Sequence, residues 1–288
     1  MMRLFLILLG GVFLLNGGPV QAQTNQTAPQ ATVDSITVRA TNRKNLLEFV
    51  RAASALSSDG QVSRRPNRLC PLVSGASIEV NTYVTARIRE VGAQVGVQFE
   101  KKACRPNLLV LFSREPQVML QKARDRRKIY FEPATPVQIQ RFMANTRPVR
   151  WWNSVVVIPS WGSASVVGDP DAALEIKSPG SRIEQPTRSA IRGSLIVVDA
   201  SQADGVEVGA ISDYIALVSL TDVKQEADLT GYNSILNLFA PGSSGDLAKR
   251  LTAFDLAYLR GIYSVRDDGS GLTQIGRIAT AMASDLER

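Results

Sequence analysis

Hydrophobic positions along this chain follow two alternating rhythms. Leu69 to Val73, Leu108 to Phe112, Val155 to Ile158 and Leu195 to Val198 are short apolar runs bounded by turn residues. Runs of this length predict strands, and the unbroken run at 108–112 predicts a strand buried on both faces. Ile36-Thr37-Val38 is a shorter run of the same type. Between these runs the spacing becomes helical. Leu46, Leu47, Phe49 and Val50 follow the capping residue Asn42, and Ile78, Val84, Ile88 and Val91 lie on one face. Another helix starts after Pro116 with Val118, Met119 and Leu120. Thr135-Pro136-Val137-Gln138 reads as a helix start with Thr as cap, Pro in the first turn and Gln three residues on. Val208 to Leu220 is apolar around most of its circumference, which predicts a deeply buried helix. Thr252-Ala253-Phe254-Asp255 is a capping box opening a helix through Ile262. The last helix puts Ile275, Ile278, Ala279, Met282 and Leu286 on one side. Strands alternating with helices predict an α/β or mixed α+β domain with a central sheet flanked by helices.

The beginning of the chain follows another pattern. Arg3 precedes an apolar run from Leu4 to Leu15, too short to span a bilayer, which needs about 20 residues. Asn16-Gly17-Gly18-Pro19 breaks it, and Val20-Gln21-Ala22 offers small residues for cleavage after Ala22. Residues 1–22 therefore read as a secretory signal peptide, with a periplasmic or secreted location to follow. No cysteine lies near the cut, which argues against lipoprotein processing, and no later segment has the length and apolarity of a membrane span. Residues 23–34 are polar and read as a flexible lead. Residues 35–288 read as one mixed α/β domain. The Gly-, Ser-, Pro- and Asp-rich stretch 160–190 reads as a long loop or irregular hairpin, where any subdivision would fall.

Composition narrows the chemistry. The sequence has no histidine, which excludes a Ser-His-Asp triad, a Cys-His dyad, an HExxH zinc site and a histidine pH switch. Gly-rich phosphate loops and the GxSxG elbow are also absent, so neither cofactor nor metal is expected. The two cysteines, Cys70 and Cys104, are an even pair in an exported chain and predict a disulfide. Such a bridge would stabilise the fold by about 3–4 kcal/mol in the chain-entropy picture. The formal net charge of +7, one less without Arg3, favours acidic partners such as anionic headgroups; nucleic acid is not expected.

The candidate functional residues form three groups. Lys122, Arg124, Arg126, Arg127 and Lys128 are a basic stretch that either meets an anionic surface or, with Asp125 inside it, forms a solvated helix face. Trp151 and Trp152 adjoin Arg147 and Arg150. Strand alternation sends one ring inward and one outward, and the outward ring is either a binding hot spot or an edge of the core. Asp199, Asp204, Glu207 and Asp213 surround the start of the buried helix, and are either a catalytic carboxylate pair or acids that the helix dipole alone favours. Asp213-Tyr214 interrupts the apolar helix. It is either an acid/tyrosine pair in a cleft or a hydrogen-bonded polar pair in the core.

Cys70-Pro71-Leu72-Val73-Ser74-Gly75, Cys104-Arg105-Pro106-Asn107, Asp213 to Val218, Ile235 to Phe239 and Leu251 through Tyr263 together resemble a group of exported hypothetical proteins of alphaproteobacteria, from about residue 65 to the end. That resemblance implies no activity. The last third is distantly similar to metzincin zinc peptidases. Leu251-Thr252-Ala253-Phe254-Asp255 to Tyr263 suits their final helix, and Ser234-Ile235-Leu236-Asn237 sits where their Met-turn would be. The metal-binding helix would fall on Asp213, Tyr214, Leu217, Leu220 and Val223, which replace every ligand and the general base. The likeness therefore implies a zincin-like domain without its metal. The expected function is a non-enzymatic binding or accessory module of the cell envelope, with an envelope protein as partner. The alternatives are a metal-free hydrolase using Asp213 and Tyr214, and an anionic-surface binder acting through Lys122–Lys128.

Overall fold

A computed structural model describes residues 42–66, 68–101, 103–126, 134–160, 184–240 and 248–288. Residues 1–22, the lead 23–34 and the Ile36–Val38 run lie outside them, as do residues 161–183 of the 160–190 stretch. The elements follow in the order α1 (Arg43–Ala53), β1 (Pro71–Ser74), α2 (Ile78–Gln94), β2 (Leu108–Ser113), α3 (Pro116–Arg126), α4 (Pro136–Ala144), β3 (Val149–Pro159), β4 (Thr187–Asp199), α5 (Val208–Leu220), a 3-10 turn (Ile235–Phe239), α6 (Ala253–Ser264) and α7 (Gly271–Leu286). The fold is mixed α/β.

The strands form one sheet in the order β1-β2-β4-β3. β1, β2 and β4 run parallel, and α2 is the crossover that a parallel β1–β2 pair requires. β3 pairs antiparallel with β4 from Val149↔Val198 to Pro159↔Thr187, with a register shift between Ser154 and Val155. Both strands are longer than the apolar runs predict. β3 begins at Val149 because Val149, Arg150 and Trp151 are already buried against the core, and β4 starts at Thr187 because its pairing with β3 continues past the apolar stretch. Leu69 does not join β1. It forms a separate bridge with Phe99, its N–H donating to the Gln98 carbonyl at 2.8 Å.

Side-chain alternation divides the sheet between two cores. Val110, Trp151, Ile196 and Val198 face α2 and α5, meeting Val84, Ile88, Ile215 and Val218. Leu109, Leu195 and Val197 face the other way, against Leu120 of α3 and Phe142 of α4. The tryptophans divide as strand alternation requires. Trp152, however, does not stand out in solvent: its ring lies 6.3 Å from that of Phe142, because α3 and α4 cover the second face. α1, α6 and α7 make a third core around Phe49, Phe254, Tyr258, Ile278 and Met282. On α5 every residue from Gly209 to Leu220 is buried.

Local signals set the helix ends. Both capping boxes form, Thr135 with Gln138 and Thr252 with Asp255. Gly75 ends the β1 turn at φ +96°, where a Cβ would stand 2.0 Å from the Phe112 carbonyl oxygen. Only glycine fits there. Gly276, inside α7, has open space around it. Gly75→Ala should therefore lower stability by roughly 1–3 kcal/mol, whereas Gly276→Ala should raise it by about 0.5–1 kcal/mol. Urea unfolding of the two variants would check both signs.

Candidate functional site

Asp213 sits on α5 with no exposed surface. Its Oδ1 accepts from Nε of Arg87 on α2, and its Oδ2 accepts from Arg250 Nε at 2.9 Å and from the Leu251 N–H at 2.8 Å. The carboxylate thus pins α5 to α2 and to the approach of α6. The Tyr214 ring packs at 6.1 Å from Trp151 and 5.3 Å from Phe239. Burial pushes its hydroxyl well above the usual phenol range, with only a small opposing pull from Arg147. Both side chains are core elements. At the other positions that the metzincin likeness names, Leu217, Leu220 and Val223 are buried hydrophobic contacts. Among the described residues no group of three His, Cys, Asp or Glu side chains converges.

The basic and aromatic candidates do not form one patch. Lys122 and Arg124 are exposed on α3, and Arg124 lies 3.4 Å from Asp125. The side chain of Arg126, and Arg127 and Lys128 altogether, lie outside the described residues. Trp151 is buried, its indole N–H donating to the Val223 carbonyl at 3.3 Å. Arg150 is buried too and donates to the Asn145 carbonyl at the end of α4.

A solvent-open recess of about 660 Å³ lies at the disulfide, which joins Cys70 and Cys104. Arg68, Glu100, Lys101, Ala103, Cys104, Arg105 and Asn107 line it. Its walls are fixed from several directions. The Asn107 side chain accepts from the Cys70 N–H at 2.8 Å and donates to the Arg68 carbonyl at 2.9 Å. The Glu100 N–H donates to the Leu69 carbonyl at 2.9 Å, and the Arg89 guanidinium covers the Phe99 ring at 5.1 Å. Ala103 has φ +65°, a left-handed conformation that alanine adopts at a cost of about 1–2 kcal/mol. The disulfide and the flanking bonds hold this strained loop in place. Arg68, Lys101 and Arg105 are exposed, and no carboxylate pairs with them among the described residues. The sequence held a signal for this site: Arg68 is two residues before one cysteine, and Lys101 and Arg105 flank the other. Joining the cysteines gathers the charges.

A second polar array lies inside the fold. Arg65 is buried and donates through Nε to the Ser219 carbonyl at 2.5 Å and through Nη2 to Ser194 Oγ at 2.6 Å. Ser194 Oγ donates to Asn153 Oδ1, and Asn153 Nδ2 donates to Asp222 Oδ1 at 2.8 Å. Burial lowers the Arg65 pKa to about 10, so it stays charged at neutral pH. Burial pushes Asp222 up to about 6, against the hydrogen bond from Asn153. Sequence reasoning singled out neither residue, because Asp222 lies just beyond the apolar helix and Arg65 sits in the basic stretch Arg64-Arg65-Pro66-Asn67-Arg68, which has the composition of a surface turn.

No protein-family model, curated protein or solved structure matches the chain, so the zincin-like reading of its last third has no support from known proteins. No helix among the described residues is long and apolar enough to cross a membrane.

Two expectations follow for Asp213 and Asp222. Asp213→Ala leaves Arg87 without its buried partner and should destabilise by roughly 3–5 kcal/mol, whereas Arg250→Ala, at a half-exposed site, should cost under about 1 kcal/mol. Chemical denaturation of both variants would measure the difference. Asp222 holds its proton more tightly folded than unfolded, so protonation stabilises the fold. That contribution is complete below the ordinary value of 3.8 and is lost as pH rises through about 6. Asp222→Asn should keep the bond from Asn153 and remove this pH dependence. At pH 7 it should be about 1–3 kcal/mol more stable than the unsubstituted chain, an advantage that vanishes near pH 4. Equal pH–stability curves would show that Asp222 titrates normally.

Proposed function

We propose that the chain is an exported, non-enzymatic binding or accessory module of the cell envelope, and that it engages its partner at the disulfide-braced recess. The observation that carries this reading is the construction of the recess. A disulfide, a bridge between Leu69 and Phe99, and the two side-chain bonds of Asn107 hold its backbone, while Arg68, Lys101 and Arg105 remain exposed around it. A rigid frame with uncommitted polar groups lowers the entropy lost on binding. The volume lies within the range of small-molecule and side-chain pockets, about 300–1,000 Å³. The disulfide accords with an oxidising compartment outside the cytoplasm.

The hydrolase alternative has less behind it. A catalytic pair must reach a reacting atom, and Asp213 and Tyr214 are enclosed between α2, α6, Trp151 and Phe239. Exposed Lys122 and Arg124 keep an anionic-surface role open for α3. Glutamine substitutions through Lys122–Lys128 should abolish salt-sensitive retention on anionic vesicles if that role is the principal one.

The deciding experiment places a photo-crosslinking amino acid at Lys101 in cells and identifies the products. A dominant, reproducible adduct that is absent when the probe is moved to Thr280 on α7 is the expected result. Equal labelling from both positions would overturn the assignment of the recess.

A further inference from the structure

We infer that the recess beside the disulfide is an anion site whose ligand carries a phosphate group on a larger organic body; this rests on the recess being the binding surface. The first argument is charge. The described lining has Arg68, Lys101 and Arg105 against Glu100, a net charge of +2. That balances a phosphomonoester, which carries nearly two negative charges at neutral pH. The two guanidiniums can each present a bidentate fork to phosphate oxygens, and the lysine adds a point charge.

The second argument is that these cations have little else to do. Several arginines of the fold are employed within it. Arg64 caps α6, Arg65 lies in the core, Arg87 and Arg250 hold Asp213, and Arg188 pairs with Asp267 at 3.1 Å. Around the recess, Lys101 and Arg105 make no ion pair among the described residues, and the guanidinium of Arg68 reaches only the Phe99 carbonyl, at 3.4 Å. Among the described lining residues only Glu100 opposes their mutual repulsion, and a bound anion would relieve the rest.

The third argument is size. A bare phosphate would leave most of 660 Å³ to water. The remaining wall is Ala103, the Cys104 half of the disulfide and the Asn107 amide; its apolar part suits the carbon body of an organic phosphate. The chemistry is common to a soluble phosphomonoester and to the headgroup of a phosphatidic acid-type lipid, and the test separates these sources.

The oxidised chain would be titrated by calorimetry and by amide chemical-shift mapping with three probes: inorganic phosphate, glycerol 3-phosphate, and vesicles of phosphatidylcholine with or without phosphatidic acid. Shifts centred on Arg68, Glu100, Lys101, Ala103, Cys104, Arg105 and Asn107 are expected, with glycerol 3-phosphate or the phosphatidic acid vesicles binding more tightly than inorganic phosphate. The arm that binds names the source. Arg68→Gln with Arg105→Gln, both on exposed side chains and so neutral for folding, should weaken that binding roughly tenfold or more. Glutamine substitutions at Lys122 and Arg124 should leave the recess shifts unchanged. Absence of recess shifts with every probe, or equal affinity in the Arg68→Gln/Arg105→Gln variant, would overturn the phosphate assignment. If the Lys101 crosslinker still captures a component in that case, the binding-module reading stands and only the ligand class falls. If neither crosslinking nor titration reports on the recess, both fall.

Discussion

Two consecutive arginines, Arg64 and Arg65, tie together elements that lie far apart in the chain. Helix C-termini present unpaired carbonyls and the negative end of the helix dipole, so a guanidinium is well matched to them. The extended segment holding Arg64 and Arg65 sends adjacent side chains in opposite directions. Arg64 reaches the Ile262, Tyr263 and Val265 carbonyls at the end of α6, and Arg65 reaches the Ser219 carbonyl near the end of α5. The main chain between them bridges to Ala190 of β4 and to Thr221. Gln61 and the Val62 N–H extend the junction to Gly269 and Gln274 at the start of α7. The sheet, the buried helix and the C-terminal helical pair therefore share one junction, made of polar groups that each need the others in order to be buried.

Much of this architecture was readable from the chain. The apolar runs located the four strands of the described residues, and the capping residues Asn42, Thr135 and Thr252 marked helix starts, because strand burial and helix caps are local patterns. The Asp213–Tyr214 interruption was recognisable as an anomaly, but its resolution was not. Arg87 is 126 residues away in sequence, and nothing near Asp213 points to it. The roles of Arg64 and Arg65 were hidden for the same reason: a basic cluster before a proline looks like a surface turn until its distant acceptors are known. The recess falls between these cases. Its charges are visible in the sequence, and their convergence depends on the Cys70–Cys104 bond.

The structure keeps two kinds of cation apart. Arginines that face helix ends or Asp213 are part of the framework, and their donors are engaged within the fold. Arg68, Lys101 and Arg105 stand on the segments leading into β1 and β2, which the Cys70–Cys104 bond and the Asn107 side chain join. The Ala103 backbone, held left-handed beside the disulfide, shows that loop geometry there was retained against its own conformational preference. Binding surfaces on rigid scaffolds have this division, with the fold absorbing the strain and the loop presenting the groups.

The separation between Arg64 and its acceptors also has a consequence in time. The Ile262 carbonyl lies 198 residues downstream and the Ser219 carbonyl that receives Arg65 lies 154 residues downstream. At a synthesis rate of about 5–20 residues per second, the ribosome needs roughly 10–40 s to produce the partners of a segment it has already released. Until then the N-terminal half can form β1, α2 and β2 but has nothing to close against. Native closure therefore waits until the last helices and the N-terminal half share one compartment, whatever the speed of any local step.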